Sequence, residues 1–149
     1  MSGAPFRAAP YHKDWRCMSQ GSEWKPTVYH DTVEYWRGCE RSELVIARCD
    51  SCETWIHPPR AVCPKCWSDD VGHYPVAGKA KVYSYASIPS PSRFGATTTL
   101  WAELVEQDRL IVVADLDPAT PDVAIGDDLE VAWREQGAGR VPIFRKVGA

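Results

Sequence analysis

Hydrophobic and polar positions alternate along most of the second half of the chain. The segment 79–88 alternates small or polar residues with larger ones, and four more stretches rich in Val, Ile, Leu and Trp follow it at 98–106, 110–116, 129–133 and 141–146. A period of two is typical of β-strands. Five short strands at this spacing predict a mainly β protein that contains a five-stranded Greek-key barrel of the OB-fold type.

Two loops of that barrel are expected to form its binding face. In OB-folds these loops follow the first and the fourth strand. Here they correspond to residues 89–97 and 135–140. Gly126, followed by Asp127 and Asp128, predicts the turn that enters the fourth strand.

The segment before the barrel predicts a short helix and two strands. Asp31 is a suitable N-cap, Glu34 follows at the capping-box spacing, and Gly38 places the end of the helix near residue 41. β-like stretches at 44–48 and 53–57 then each adjoin a cysteine pair. We therefore expect a helix over residues 31–41 and a small hairpin after it.

Two C-x-x-C pairs are the strongest chemical signal in the sequence. They are Cys49 with Cys52 and Cys63 with Cys66, and ten residues separate the pairs. Zn²⁺ prefers four such ligands in a tetrahedron, and two C-x-x-C turns on paired hairpins bring four thiolates together. We therefore expect one structural zinc ion in a zinc ribbon, and this ion would decide whether so small a unit folds.

The same cysteines are compatible with other chemistry. A redox dithiol, a pair of disulfides or a catalytic zinc with an open position would use the same residue type, although the spacing favours a closed zinc site. Iron in a rubredoxin-like site would use the same four thiolates. His57 lies within the hairpin, and with four thiolates present we expect it to pack or to face solvent. Cys17 and Cys39 lie outside the motif and predict no nucleophile.

These patterns divide the chain into three parts. Residues 1–43 form an N-terminal arm and the helix, residues 44–75 the zinc ribbon, and residues 76–149 the OB-fold domain. Within the first part, residues 1–28 contain three prolines and no sustained period. They predict an arm that is poorly ordered or is ordered only by a partner.

Charge and composition restrict the classes of partner. The chain has 17 Lys and Arg against 20 Asp and Glu, so it lacks the basic excess on which nucleic-acid affinity depends. No apolar run approaches the roughly 20 residues of a membrane span, and the first residues lack the apolar core of a secretory signal. We therefore expect a cytoplasmic protein that binds neither membrane nor nucleic acid.

A nucleic-acid-binding module remains the alternative class, because zinc ribbons and OB-folds often bind nucleic acid. Tyr83, Tyr85 and Trp101 would be the candidates for base stacking. We expect these aromatic residues to pack in the core instead. No set of residues forms a typical catalytic arrangement, so we expect no activity from the chain alone.

Six stretches within residues 29–147 match a known family: TVEYWRGCERSELVIARC, CDSCETWIHPPRAVCPKCWSDD, VAGKAKVYSY, WAELVEQDRLIVVADL, IGDDLEVAWRE and VPIFRKV. In these stretches the chain resembles the acyl-CoA-associated zinc-ribbon and OB-fold proteins, first catalogued as domain of unknown function thirty-five. The sequence departs from the family at Glu53 and Trp67, where glycine is common. Neither departure removes a cysteine.

The resemblance implies an accessory subunit for a thiolase-like protein that acts on acyl-CoA esters. In this family the partner holds the catalytic residues, and the small protein packs against it in a hetero-oligomer. The reaction is either the retro-aldol cleavage of a steroid side-chain β-hydroxyacyl-CoA, as in steroid degradation, or an acyl transfer or condensation in lipid metabolism. Some relatives carry a fused hydratase domain, and we expect none in this chain.

Six residues are the predicted contacts to the partner or to CoA. Aromatic residues are enriched in interface cores, which favours Trp15, Trp24, Trp55 and Trp67 as partner contacts. For Trp55, local packing over the ribbon is equally expected. Arg93 and Arg140 lie in the two loops of the predicted binding face and are the candidates for contact with CoA phosphates.

Overall fold

The computed structural model of the protein describes residues 25–88, 97–120 and 122–148. The arm predicted for residues 1–28 lies outside this part of the chain up to residue 24. Most of the first predicted barrel loop, residues 89–97, also lies outside it. Among the described residues, no helix combines the length and the apolar character that crossing a bilayer requires.

One short helix, α1 (Val33–Glu40), precedes the strands and follows a 3₁₀ turn at His30–Thr32. The prediction that Asp31 caps this helix is wrong, because the 3₁₀ turn places Asp31 inside the helical segment. Its carboxylate instead faces His30 Nδ1 at 3.3 Å. The turn is closed by Thr32, whose Oγ1 accepts a 2.9 Å hydrogen bond from the backbone N–H of Tyr29.

The ribbon is a three-stranded antiparallel sheet. It contains β1 (Val45–Cys49), β2 (Trp55–Ile56) and β3 (Val71–Pro75) in the order β2-β1-β3. The first two strands agree with the prediction. The third was not predicted, because V-G-H-Y-P lacks an alternating pattern and its residues are half-buried or exposed. It nevertheless pairs along the whole length of β1.

Five strands form a closed barrel. They are β4 (Lys79–Ile88), β5 (Thr97–Leu104), β6 (Ile111–Leu116), β7 (Asp128–Gln136) and β8 (Gly139–Lys146). Their order around the barrel is β4-β5-β6-β8-β7. The β6–β8 pair is parallel, and the other pairs are antiparallel. The predicted class, a mainly β protein with a zinc ribbon and a five-stranded barrel, is confirmed.

The second loop of the predicted binding face is much shorter than expected. Strand β7 continues through Gln136 and β8 begins at Gly139, so only two residues connect them. Glu135 and Arg140, predicted as loop residues, lie opposite each other in this hairpin. Because the end of this hairpin is polar, its sequence did not predict that both strands continue there. The turn predicted at Gly126 is present, with a φ of +91° just before β7.

Strand β1 divides its side chains between two cores. Leu44, which precedes it, and Ile46 pack in a cluster with the barrel interior, whereas Ala47 and Cys49 pack in the ribbon. Among the described residues, the barrel cluster contains twelve buried members and the ribbon cluster four. Two of those four are cysteines. The ribbon therefore has little apolar core of its own.

Candidate metal centre

The two C-x-x-C turns have the same backbone geometry. In the first, the N–H of Glu53 donates to the Cys49 carbonyl at 2.8 Å, and the N–H of Cys49 donates to the Thr54 carbonyl at 2.9 Å. The second turn repeats both bonds around Cys63. There the N–H of Trp67 donates to the Cys63 carbonyl at 3.0 Å, and the N–H of Cys63 donates to the Ser68 carbonyl at 2.8 Å.

The residue that follows each C-x-x-C motif adopts a left-handed backbone. Glu53 has a φ of +61° and Trp67 a φ of +63°. This region favours glycine, because a Cβ atom crowds the backbone there. These are the two positions at which the sequence departs from the glycine common in the family it resembles. Both turns keep the required geometry despite the larger residue.

The four cysteine sulfurs form a compact group. All four Sγ atoms lie within 4.8 Å of one another. Cys49 and Cys66 are 3.5 Å apart and Cys52 and Cys63 are 3.6 Å apart. Disulfide sulfurs lie about 2.05 Å apart, whereas ligands about 2.3 Å from a tetrahedral zinc are separated by roughly 3.8 Å. The distances are consistent with one structural zinc ion.

The environments of the four thiols differ. Cys49 and Cys63 are fully buried, Cys52 is half-buried and Cys66 is exposed. Hydrogen bonds with the side chain and backbone of Thr54 lower the pKa of Cys52 to about 6. A backbone hydrogen bond from Ser68 lowers the pKa of Cys66, but hydrogen bonds with the neighbouring sulfurs, that of Cys52 first, and desolvation raise it to about 12. Deprotonation of all four thiols would place four negative charges side by side, and a cation between them would offset their repulsion.

His57 does not belong to the sulfur group. Its ring lies 5.5 Å from the Tyr35 ring, and its buried Nδ1 has no hydrogen-bond partner among the described residues. Burial lowers the pKa of His57 to about 4. The side chain packs between the ribbon and α1 as an uncharged ring, in agreement with the expectation that it is no ligand.

The predicted contact residues occupy different environments. Trp55 is half-buried, with the Arg48 guanidinium 5.6 Å above its ring and the Tyr74 ring 6.4 Å away. Trp67 is 79% exposed. Arg140 donates to the carboxylate of Glu135 and, at 2.6 Å, to Ser42 Oγ. Trp15, Trp24 and Arg93 lie outside the described residues.

The barrel carries an exposed aromatic surface that was not predicted from the sequence. Tyr83, Tyr85 and Trp101 are 53%, 42% and 37% exposed, so the expectation that they pack in the core is wrong. The alternation already indicated the outward direction of Trp101, since the adjacent Leu100 and Ala102 point inward. The same alternation places Tyr83 outward, since Ala80 and Val82 on β4 are buried and Tyr83 directly follows Val82.

The sequence of the ribbon matches a described protein domain. The family described as ChsH2, rubredoxin-like zinc ribbon domain, matches residues 36–72. The chain is also 32% identical, over 126 residues, to a probable enoyl-CoA hydratase alpha subunit from Thermomonospora curvata. That match includes 81% of this chain and 39% of the relative, so the chain spans about two fifths of the length of this curated protein.

Solved structures include two similar chains. A chain of the Ltp2-ChsH2(DUF35) aldolase is 30% identical, with a TM-score of 0.72, and the match covers 82% of this chain and 98% of that one. A protein of unknown function from the DUF35 family of Sulfolobus solfataricus is 13% identical with a TM-score of 0.53. The match covers 66% of this chain and 74% of that protein, and it supports the fold alone.

Proposed function

Because the chain belongs to the DUF35 zinc-ribbon family, we propose that it is a zinc-binding accessory subunit of an acyl-CoA enzyme. Its partner is a thiolase-like protein that carries the catalytic residues. Cys49, Cys52, Cys63 and Cys66 bind the zinc ion. The assembly catalyses retro-aldol cleavage of a steroid side-chain β-hydroxyacyl-CoA, or an acyl transfer or condensation.

One observation carries the proposal. The chain aligns with 98% of a DUF35 chain that forms part of an aldolase, at 30% identity. The similarity to a probable enoyl-CoA hydratase alpha subunit independently supports a role beside acyl-CoA chemistry. The described residues contribute a metal site that all four thiolates would close, which suits a structural ion better than a catalytic one.

The surface of the described residues is suited to a protein partner. Trp101 on β5 pairs with Val113 on β6 and with Ser84 on β4, and both Trp101 and Val113 are exposed. Trp67 adds a third exposed apolar side chain on the second C-x-x-C turn. Aromatic residues of this kind are typical anchors of protein interfaces.

The proposal is tested on the complex purified from the natural host. The tagged chain is isolated, its metal and partner are identified by native mass spectrometry, and complex and separated subunits are assayed with a β-hydroxyacyl-CoA. We expect one zinc ion per chain, a thiolase-like partner and turnover by the complex only. A chain that turned over the acyl-CoA alone would contradict the accessory role, and bound iron would contradict the choice of metal.

Cys63→Ser and Cys39→Ser form a matched pair of variants for this experiment. Both residues are buried, but only Cys63 belongs to the sulfur group. We expect Cys63→Ser to lose zinc and partner together, and Cys39→Ser to retain both. Partner binding by a zinc-free Cys63→Ser protein would show that the zinc-bound ribbon is not required for assembly.

Nucleic-acid binding is the second candidate function, and the exposed Tyr83, Tyr85 and Trp101 favour it. The charges near these rings oppose it. The acidic residues Glu103 and Asp115 lie on the same two strands as Trp101 and Val113, and the nearby cation of Arg134 is already engaged in an ion pair with Asp115 at 2.7 Å. A salt titration of single-stranded DNA and RNA binding separates the two functions, since tight binding that weakens steeply with salt would favour the nucleic-acid role.

A further inference from the structure

The four cysteines of the ribbon differ in their access to solvent. Cys49 and Cys63 have no exposed surface, whereas Cys66 is exposed and lies between Lys65 and Trp67, which are exposed too. Of the four cysteine residues, Cys66 is therefore the most accessible to small oxidants in solution. Oxidation of cysteine depends on thiolate character and on exposure, and a zinc-bound cysteine is held as the thiolate.

Cys66 is in sulfur–sulfur contact with the other C-x-x-C turn. Cys49 Sγ lies 3.5 Å away, and Cys52 and Cys63 form the second close pair at 3.6 Å. An oxidised Cys66 thus has a resolving thiolate in contact. The linkage that forms first would join the two turns rather than close either of them.

We propose that Cys66 is a site of oxidative modification, at which hydrogen peroxide converts the zinc-bound ribbon into a Cys49–Cys66 disulfide and releases the metal. This rests on the zinc assignment above but not on the identity of the partner. The two cores depend on the metal to different degrees. The ribbon cluster has four buried members, two of them ligands, whereas the barrel cluster has twelve, so metal loss loosens the ribbon and leaves the barrel folded.

The chemistry has two steps. The Cys66 thiolate attacks one peroxide oxygen, the O–O bond breaks, hydroxide leaves and the sulfur becomes a sulfenic acid. The Cys49 thiolate then attacks Cys66 Sγ, forms the S–S bond and displaces a second hydroxide. Two protons from the buffer acid convert the two hydroxides into water. The sulfurs lose two electrons to the peroxide, and the two remaining thiolates no longer enclose the zinc.

The experiment uses the full chain loaded with zinc, in a Cys17→Ser background that removes the cysteine outside the described residues. Zinc content is first measured, hydrogen peroxide is added, zinc release is followed with a chromogenic chelator, and disulfides are mapped by mass spectrometry after alkylation. We expect one zinc released per chain, a dominant Cys49–Cys66 linkage, and recovery on adding dithiothreitol with zinc. A dominant linkage within one turn, or zinc retention under peroxide, would overturn the proposal.

Cys66→His is the matched variant, because histidine preserves a fourth zinc ligand and removes the exposed thiol. We expect it to bind one zinc and to release it at least about 10-fold more slowly under peroxide. Equal release rates would overturn the role of Cys66. If this variant does not bind zinc, the disulfide map of the unsubstituted ribbon still tests whether the Cys49–Cys66 linkage dominates. A chain without zinc before oxidation would instead contradict the metal assignment of the proposed function.

Discussion

Gln107 forms with Trp55 both hydrogen bonds that a neighbouring strand would provide. Its Oε1 accepts from the Trp55 backbone N–H at 2.9 Å, and its Nε2 donates to the Trp55 carbonyl at 3.2 Å. Because β2 contains only two residues, a barrel side chain completes its free edge. The amide thereby couples the ribbon to the β5–β6 turn.

Gln107→Glu should therefore weaken the attachment of the ribbon. The substitution retains the acceptor but places a carboxylate oxygen against the Trp55 carbonyl, at a cost of about 1–3 kcal/mol. Faster amide exchange at Trp55 and a lower melting temperature would show the effect. Asp108→Asn, at the exposed neighbouring position, is the control and should change neither. Unchanged exchange in Gln107→Glu would contradict the coupling.

Gly38→Ala tests the contact between α1 and β1. Alanine would normally favour a helix by about 1 kcal/mol. Here its Cβ would lie 2.6 Å from Val45 Cγ2 and 2.7 Å from the Glu43 carbonyl oxygen. The backbone oxygen has little freedom to move, so overpacking should dominate and destabilise the protein by about 1–3 kcal/mol. Urea denaturation measures the change, with exposed Arg37→Ala as the control. A stabilised Gly38→Ala protein would show that the helix shifts freely.

Trp67 has two separable properties, its left-handed backbone and its exposed ring. Trp67→Gly removes both, whereas Trp67→Ala removes only the ring. We expect Trp67→Gly to be more stable than Trp67→Ala by about 1 kcal/mol, as measured by denaturation of the zinc-loaded proteins. If the ring contacts the partner, both variants should weaken that complex by a similar factor, about 10-fold or more. Full partner affinity in both variants would remove Trp67 from the interface.

His57 should make stability depend on pH. Burial lowers the pKa of His57 to about 4, and the unfolded chain takes up this proton near pH 6.5. Stability is therefore lost as the pH falls from about 6.5 towards 4, by at most about 3 kcal/mol. His57→Phe retains the contact with Tyr35 but does not titrate. Acid affects the cysteine ligands of both proteins equally, so the difference between their denaturation curves isolates His57. Parallel curves would contradict a buried neutral ring.

Removal of zinc should affect the two cores unequally. A chelator, or Cys49→Ser, should raise amide exchange throughout β1, β2 and β3. The strands of the barrel should stay protected. The physical reason is that structural zinc contributes roughly 10–16 kcal/mol in small zinc peptides, and the ribbon has little other core. Exchange that rose equally in ribbon and barrel would indicate one cooperative unit.

The sequence predicted those features that depend on local pattern. The metal ligands followed from the C-x-x-C spacing, and β4 was predicted with its observed bounds because its pattern is regular. Strand β3 was missed, since its pairing with β1 is decided by tertiary contacts. The side chain of Gln107 pairs with Trp55 across 52 positions of sequence, and no local pattern indicates such a contact. The domain boundaries at residues 43 and 75 stay predictions.

The order of strands around the barrel determines which strands lack a partner while the protein is being synthesised. Strand β8 lies between β6 and β7, and its parallel pairing with β6 and antiparallel pairing with β7 close the barrel. The ribosome adds about 5–20 residues per second, so the complete ribbon leaves the exit tunnel several seconds before β8. The nascent ribbon can therefore acquire its metal while the barrel is still an open sheet. Until β8 emerges, the edges of β6 and β7 that it will cover lack a partner strand, and unpaired strand edges are sites of association with other chains.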